Sequence, residues 1–191
     1  MLILGSRLIG TPIMGLQTGT RLAVTRVPII DPSNLKIVAY EVDGPLLVDH
    51  PSFIRIADVR ELSDVGMIID SNDEFIGIED VIAIKKIYDL GFNLIDLTVI
   101  DETKHKLGKV GDYSLDTESF VIQQLNVKRG IIKSLADTEL LIHRSQIIEI
   151  NNQVIIVRTA AKKLDPITKP SQMTYLNPFQ SSNPQIESRK T

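Results

Sequence analysis

The chain of 191 residues contains no cysteine and no tryptophan, and its remaining rings are four tyrosines and five phenylalanines. Without cysteine there is no disulfide, no thiolate nucleophile and no thiolate-held zinc or iron–sulfur centre, a composition suited to a reducing compartment. So few rings leave little on which unpaired bases could stack. Charge of one sign is also lacking: 21 basic against 24 acidic residues leave a net charge of −3, which sets up no field to gather phosphate backbones. Direct contact with nucleic acid is therefore not expected. No uninterrupted apolar run approaches the roughly 20 residues that cross a bilayer. The opening stretch MLILGSRLIGTPIMGL is interrupted by Arg7 and has no charged segment ahead of its apolar part, so it reads as a first strand rather than a leader peptide. The expectation is a cytoplasmic protein that does not span a membrane.

Chemically distinctive constellations are missing too. His50, His105 and His143 are scattered, and none has a second histidine at metal-ligand spacing. Asp70-Ser71-Asn72-Asp73-Glu74 imitates the opening of a calcium loop, but Phe75 stands where that loop needs glycine and Val81 where it needs a bidentate glutamate. Gly5 to Gly10 lacks the lysine of a phosphate loop. Ser145 follows His143 and Arg144 with no nucleophile elbow around it. No metal, cofactor or catalytic set is assigned.

What the chain does have is β patterning that occurs twice. Lys106 to Val127 places apolar residues at Leu107, Val110 and Leu115, then at Phe120, Ile122, Leu125 and Val127, around the polar turn Asp116-Thr117-Glu118-Ser119. Half-buried strands on either side of a locally hydrogen-bonding turn make a hairpin. Leu22 to Val42 repeats the layout: Leu22, Asp31, Ile37 and Val42 each lie 85 positions before Leu107, Asp116, Ile122 and Val127. The first turn is Asp31-Pro32-Ser33-Asn34, whose proline presets the second position of the reversal. The repeat continues, because Ile54 to Leu62 parallels Ile142 to Ile150 with the offset grown to 88 by a loop insertion.

These two segments, LAVTRVPIIDPSNLKIVAYEV and KLGKVGDYSLDTESFVIQQLNV, resemble the hairpin of the PRC-barrel family, with its incoming strand, Asp-bearing turn and apolar outgoing strand. The resemblance covers most of residues 4 to 160. It implies a mainly β protein of two small PRC-like β-barrels in tandem joined by a short helix: a first barrel over residues 1–78, a connector over 79–91, a second barrel over 92–160 and a flexible C-terminal tail over 161–191. The first copy departs from the second, with Ala23 in place of Gly108 and Pro28 inside the incoming strand. Proline cannot donate to a ladder, so that strand is expected at an edge or bulged there. Family members named for the reaction centre H subunit and a ribosome maturation factor use the barrel as a docking surface. The implied function is a non-enzymatic protein-interaction or scaffold module, with an accessory role in ribosome or RNA maturation, or a small-ligand-binding barrel, as alternatives.

Two further features frame that expectation. Glu79 to Leu90 has apolar residues at helical spacing, acids in its first turn, Lys85 and Lys86 later and Gly91 at its end, which predicts a connector helix whose stripe of Val81, Ile82, Ile84 and Ile87 is buried. Lys104, Lys106 and Lys109, with Lys128, Arg129 and Lys133 across the hairpin, form a basic cluster suited to docking an acidic protein partner. An acidic set at Asp70, Asp73, Glu74, Glu79 and Asp80 makes self-association a further expectation. Short strands are also expected at Leu46 to Val48 and from Leu94 to Ile100. Past Ala161, prolines and polar residues replace the aliphatic pattern, and Met173 to Phe179 is the tail's one apolar patch.

Overall fold

A computed structural model describes residues 1–129 and 139–158, so the predicted tail, its Met173 to Phe179 patch and Lys133 lie outside the described residues. The fold is mainly β. In chain order the strands are β1 (Leu2–Leu4), β2 (Pro12–Gly15), β3 (Arg21–Asp31), β4 (Lys36–Asp43), β5 (Ser52–Arg55), β6 (Glu61–Ser63), β7 (Gly66–Ile69) and β8 (Phe75–Gly77). After helix α1 (Ile82–Tyr88) come β9 (Thr98–Asp101), β10 (Lys106–Asp116), β11 (Ile122–Lys128), β12 (Glu139–His143), β13 (Ile147–Ile150) and β14 (Val154–Val157).

The strands form two sheets with the same order. One runs β6-β7-β2-β3-β4-β5-β8, the other β13-β14-β9-β10-β11-β12, so that β8 has no counterpart among the described residues of the second, and in each a pair of four-residue strands is parallel, β2 with β7 and β9 with β14. Both sheets are open paths, and neither closes on itself as the expected barrels would.

The sequence repeat has a detailed structural counterpart. At the hairpin tips, Asp31 accepts from the Ser33 amide and hydroxyl, and Asp116 from those of Ser119. Each turn then ends on a left-handed residue, Leu35 at φ +55° and Phe120 at φ +54°. Upstream, the amides of Gly10 and Asp96, both left-handed, donate to the carbonyls of Thr25 and Val110. The ladder of β3 slips between Thr25 and Pro28, and that of β10 between Val110 and Asp112, so the bulge expected from Pro28 occurs in both copies. Proline is thus an accommodation to a bulge that the second copy makes with Gly111.

Ala23 is explained by where the strands nearly touch. A Cβ on Gly108 would lie 2.3 Å from the Lys128 carbonyl oxygen, while in the first copy it is Gly44, on the facing segment, whose Cβ would lie 2.5 Å from the Leu22 carbonyl. The close approach needs glycine on one side of the pair, and the two copies place it on opposite sides.

A single core joins the sheets. Buried residues of the first (Ile13, Leu22, Ile37, Tyr40, Ile54, Met67, Ile69) pack in one cluster with those of the second (Val99, Val110, Leu115, Ile122, Leu125, Ile155, Val157) and with Leu8 and Leu94 from the segments ahead of β2 and β9, and Met1–Thr159 form one compact unit. β1 lies outside its own copy's sheet: Leu2 to Leu4 pair antiparallel with Ser114 to Asp116 of β10.

Three local expectations are corrected. Leu46 to Val48 forms a turn and loop in place of a strand, with Leu47 against the core and Val48 in solvent. The strand expected from Leu94 begins at Thr98, because Asp96 is left-handed; Leu94 is nonetheless buried. Helix α1 is shorter than its pattern, since Asp80 is used ahead of it to accept from the Gly77 amide at 2.6 Å, and Gly91 at φ +58° follows its end. Its stripe divides: Ile84 is buried and Val81 and Ile87 are half-buried against Ile29, Ala39 and Phe53, whereas Ile82 is 69% exposed. No helix among the described residues is long and apolar enough to cross a membrane.

Candidate functional site

The basic cluster is assembled by strand pairing. Lys109 on β10 stands directly opposite Lys128 on β11, and both are exposed. Lys106 begins β10, Lys104 is a left-handed residue of the β9–β10 turn, and Arg129 follows β11; all three are exposed. The turn carrying Lys104 is organised by Asp101, whose carboxylate accepts from the Thr103 amide at 2.9 Å, the Thr103 hydroxyl at 2.6 Å and the His105 amide at 2.9 Å. Hydrogen bonding from Thr103 and His105 holds the Asp101 carboxyl below its ordinary value. On its other side Lys128 faces Glu139 of β12, so one carboxylate stands among these cations.

The acidic set is largely spent within the fold. Arg60 grips Asp70 with two nitrogens, Lys85 bridges to Glu79, and Asp80 holds the Gly77 amide. Asp73 and Glu74 lie in the 3₁₀ turn that precedes β8, which Ser71 caps by accepting from the Asp73 amide. His143 and Ser145 do come together, at 2.8 Å between Nδ1 and Oγ, but the imidazole also accepts from the Ser145 amide. Gln146 reaches back to the His143 amide at 2.9 Å, so the pair closes a capping box at a 3₁₀ turn. Among the described residues no cluster of histidine and carboxylate is placed to hold a metal ion.

A feature unforeseen from the sequence lies where the two copies meet. Their hairpin tips exchange a reciprocal pair of hydrogen bonds, Ile37 N to Phe120 O at 3.0 Å and Ile122 N to Leu35 O at 2.8 Å, and these four residues are equivalent under the 85-residue repeat. The segments leading into each copy cross over. β1 and the 3₁₀ turn Gly5–Leu8 pack on β10, where Ser6 donates its amide and hydroxyl to Asp112 at 3.2 and 2.5 Å, and α1 packs on β3. Gly5 allows the approach, since a Cβ there would meet the Tyr113 ring at 2.3 Å.

Between the crossing segments lies a cleft of about 700 Å³. Ile9 and Val27 line one part of it, Ile87, Tyr88 and Phe92 another, and Glu41 and Asp112 are its two carboxylates. A smaller cleft adjoins it, sharing Glu41 and Tyr88 and adding Arg26, Asp43 and His50. Arg26 binds Asp43 at 2.6 Å, and that hydrogen bond holds the Asp43 carboxyl below its ordinary value. Only the glycines at positions 5, 91 and 111, all of which line the cleft, could have signalled it in the sequence.

In the core, Tyr40 is wholly buried, and its hydroxyl has no hydrogen-bond partner among the described residues. Burial raises its phenol well above the ordinary value, with Tyr113 adding to the shift. No model of a known protein family matches the chain, and no curated protein matches it.

Proposed function

We propose that the protein is a non-enzymatic protein-interaction module, built from two copies related to the PRC-barrel, whose docking patch is Lys104, Lys106, Lys109, Lys128 and Arg129 and whose partner is acidic. The observation that carries this reading is the register of β10 and β11, which sets Lys109 directly against Lys128. Like charges opposite one another cost a sheet on the order of 0.2–1 kcal/mol, so the Lys109–Lys128 pairing itself opposes folding, with Glu139 on the other side of Lys128 offsetting part of that cost. A partner's carboxylates would convert that cost into binding. The first copy has Val24 opposite Asp43 at the equivalent positions, so the fold itself does not require lysine there.

The test is a comparison of tagged full-length protein with its Lys109→Ser/Lys128→Ser variant. The reading expects an acidic protein to be retained by the parent, released by salt and lost by the variant, while the variant's melting temperature stays level or rises. Retention indifferent to both salt and substitution would overturn it.

A further inference from the structure

The cleft between the copies adjoins the lysine patch, since the Lys128 side chain lies against Gly111 in its wall, but its own lining has a consistent chemistry. A volume of about 700 Å³ falls in the range of roughly 300–1,000 Å³ that takes small organic ligands. Apolar surface is left open there: Val27 is 51% exposed, Ile9 45% and Tyr88 37%. Among the described residues the lining includes no lysine, arginine or histidine, but two carboxylates. Asp112 is engaged by Ser6 and by the Tyr113 amide, which leaves Glu41.

Glu41 is half-buried, and among the described residues no hydrogen bond or ion pair engages it. The cation nearest along β3, Arg26, is bound to Asp43. Filling the cleft with a neutral molecule would desolvate this carboxylate without a counter-charge, and an anion would be repelled by both acids. A molecule with one cationic group beside Glu41 and an apolar body along Val27, Ile29 and Ile87 meets both demands. Tyr88, which lines both clefts together with Glu41, supplies an aromatic ring in the same wall.

We propose that this cleft is a binding site for a small amphiphilic amine, with Glu41 as the counter-ion of its ammonium group and the aliphatic and aromatic wall as the seat of its apolar body. The proposal does not depend on the docking reading, and the probes below separate the two.

The full-length protein is titrated with octylammonium, octanol and octanoate, followed by calorimetry and amide chemical shifts. Octylammonium is expected to bind with shifts confined to the lining segments, octanol about tenfold or more weaker and octanoate not at all, as expected for a charge-assisted contact. Glu41→Gln should reduce octylammonium binding about tenfold with the fold intact. Val27→Arg, at an exposed position, places a fixed cation at the mouth and should abolish binding, which decides the matter if Glu41→Gln does not fold. Lys109→Ser/Lys128→Ser, which removes a cation beside the cleft wall, should bind octylammonium no more weakly than the parent does. Equal binding of octanoate, shifts outside the lining, indifference to Val27→Arg, or capture of extended peptides with no octylammonium binding would each overturn the proposal.

Discussion

Of the three isoleucines on helix α1, Ile82 and Ile84 stand two positions apart, and truncating them should have very different consequences. Ile84 is 6% exposed and sits among Ile29, Ala39 and Phe53, with Val38, Ile76, Ile78, Val81 and Ile87 around them. Replacing it by alanine removes three carbon groups at about 0.8 kcal/mol each, and the unfilled space adds a cavity term on top. Alanine's better helix propensity returns a few tenths. The net loss is about 3 kcal/mol, which for a unit spanning Met1–Thr159 corresponds to a melting temperature lower by about 6–12 °C. Ile82 is 69% exposed, so Ile82→Ala should remain within about 0.5 kcal/mol of the parent. Thermal unfolding of the full-length protein by circular dichroism measures both. A fall for Ile82→Ala as large as that for Ile84→Ala would show that α1 packs with a different face, and would refute the assignment of the second core cluster.

Three other outcomes follow from the same structure. Tyr40→Phe removes a buried hydroxyl that has no partner among the described residues and should raise stability by about 1 kcal/mol, read from urea midpoints at constant slope; a loss of similar size would mean that the hydroxyl is satisfied. Gly108→Ala sets a Cβ 2.3 Å from the Lys128 carbonyl and should cost about 1–3 kcal/mol, whereas Gly10→Ala meets no atom within 4 Å and loses only the left-handed preference at φ +76°. Asp116 is held down to about 2 by the Ser119 hydroxyl and then the amino terminus, from a reference value of 3.8. Its folded-state value is depressed, so its stabilisation is present above about pH 4 and disappears as pH falls through about 2; the melting temperature should drop across that window, and less steeply in Asp116→Asn.

The hairpins were legible because local chemistry decides them. An aspartate followed by small hydroxyl residues, flanked by apolar alternation, fixes the turn at Asp31 and Asp116 whatever the rest of the chain does. The bulge at Pro28 was legible for a similar reason, since proline removes a donor wherever it stands. The stripe on α1 misled over Ile82 because successive helical residues turn by about 100°, which sets Ile82 nearly opposite the face that Val81, Ile84 and Ile87 share. The crossing of the leading segments left no local mark. Nothing in the string LIL distinguishes a strand that pairs with β2 from one that pairs with β10, because that choice rests on a core contributed from more than 100 residues away.

The cleft was invisible for the same reason, while the lysine patch was visible because its members are neighbours across a single hairpin. This difference bears on how the two copies relate to function. Under the repeat, Val24, Arg26 and Asp43 correspond to Lys109, Gly111 and Lys128: one copy holds an ion pair between Arg26 and Asp43 at the place where the other exposes two facing cations. The hydrogen bonds that define the hairpins are kept in both copies, and the charges on their outer ends differ, with a compensated Arg26–Asp43 pair in one and two cations in the other. Glu41 on β4 has Asn126 as its counterpart on β11, opposite Asp112, so the cleft too is acidic through different positions in the two copies. On the two proposed readings, a repeated scaffold with unlike surfaces would present two sites of different preference, the end of β10 and β11 to an acidic partner and the junction to a cation, with Lys128 lying between them against Gly111.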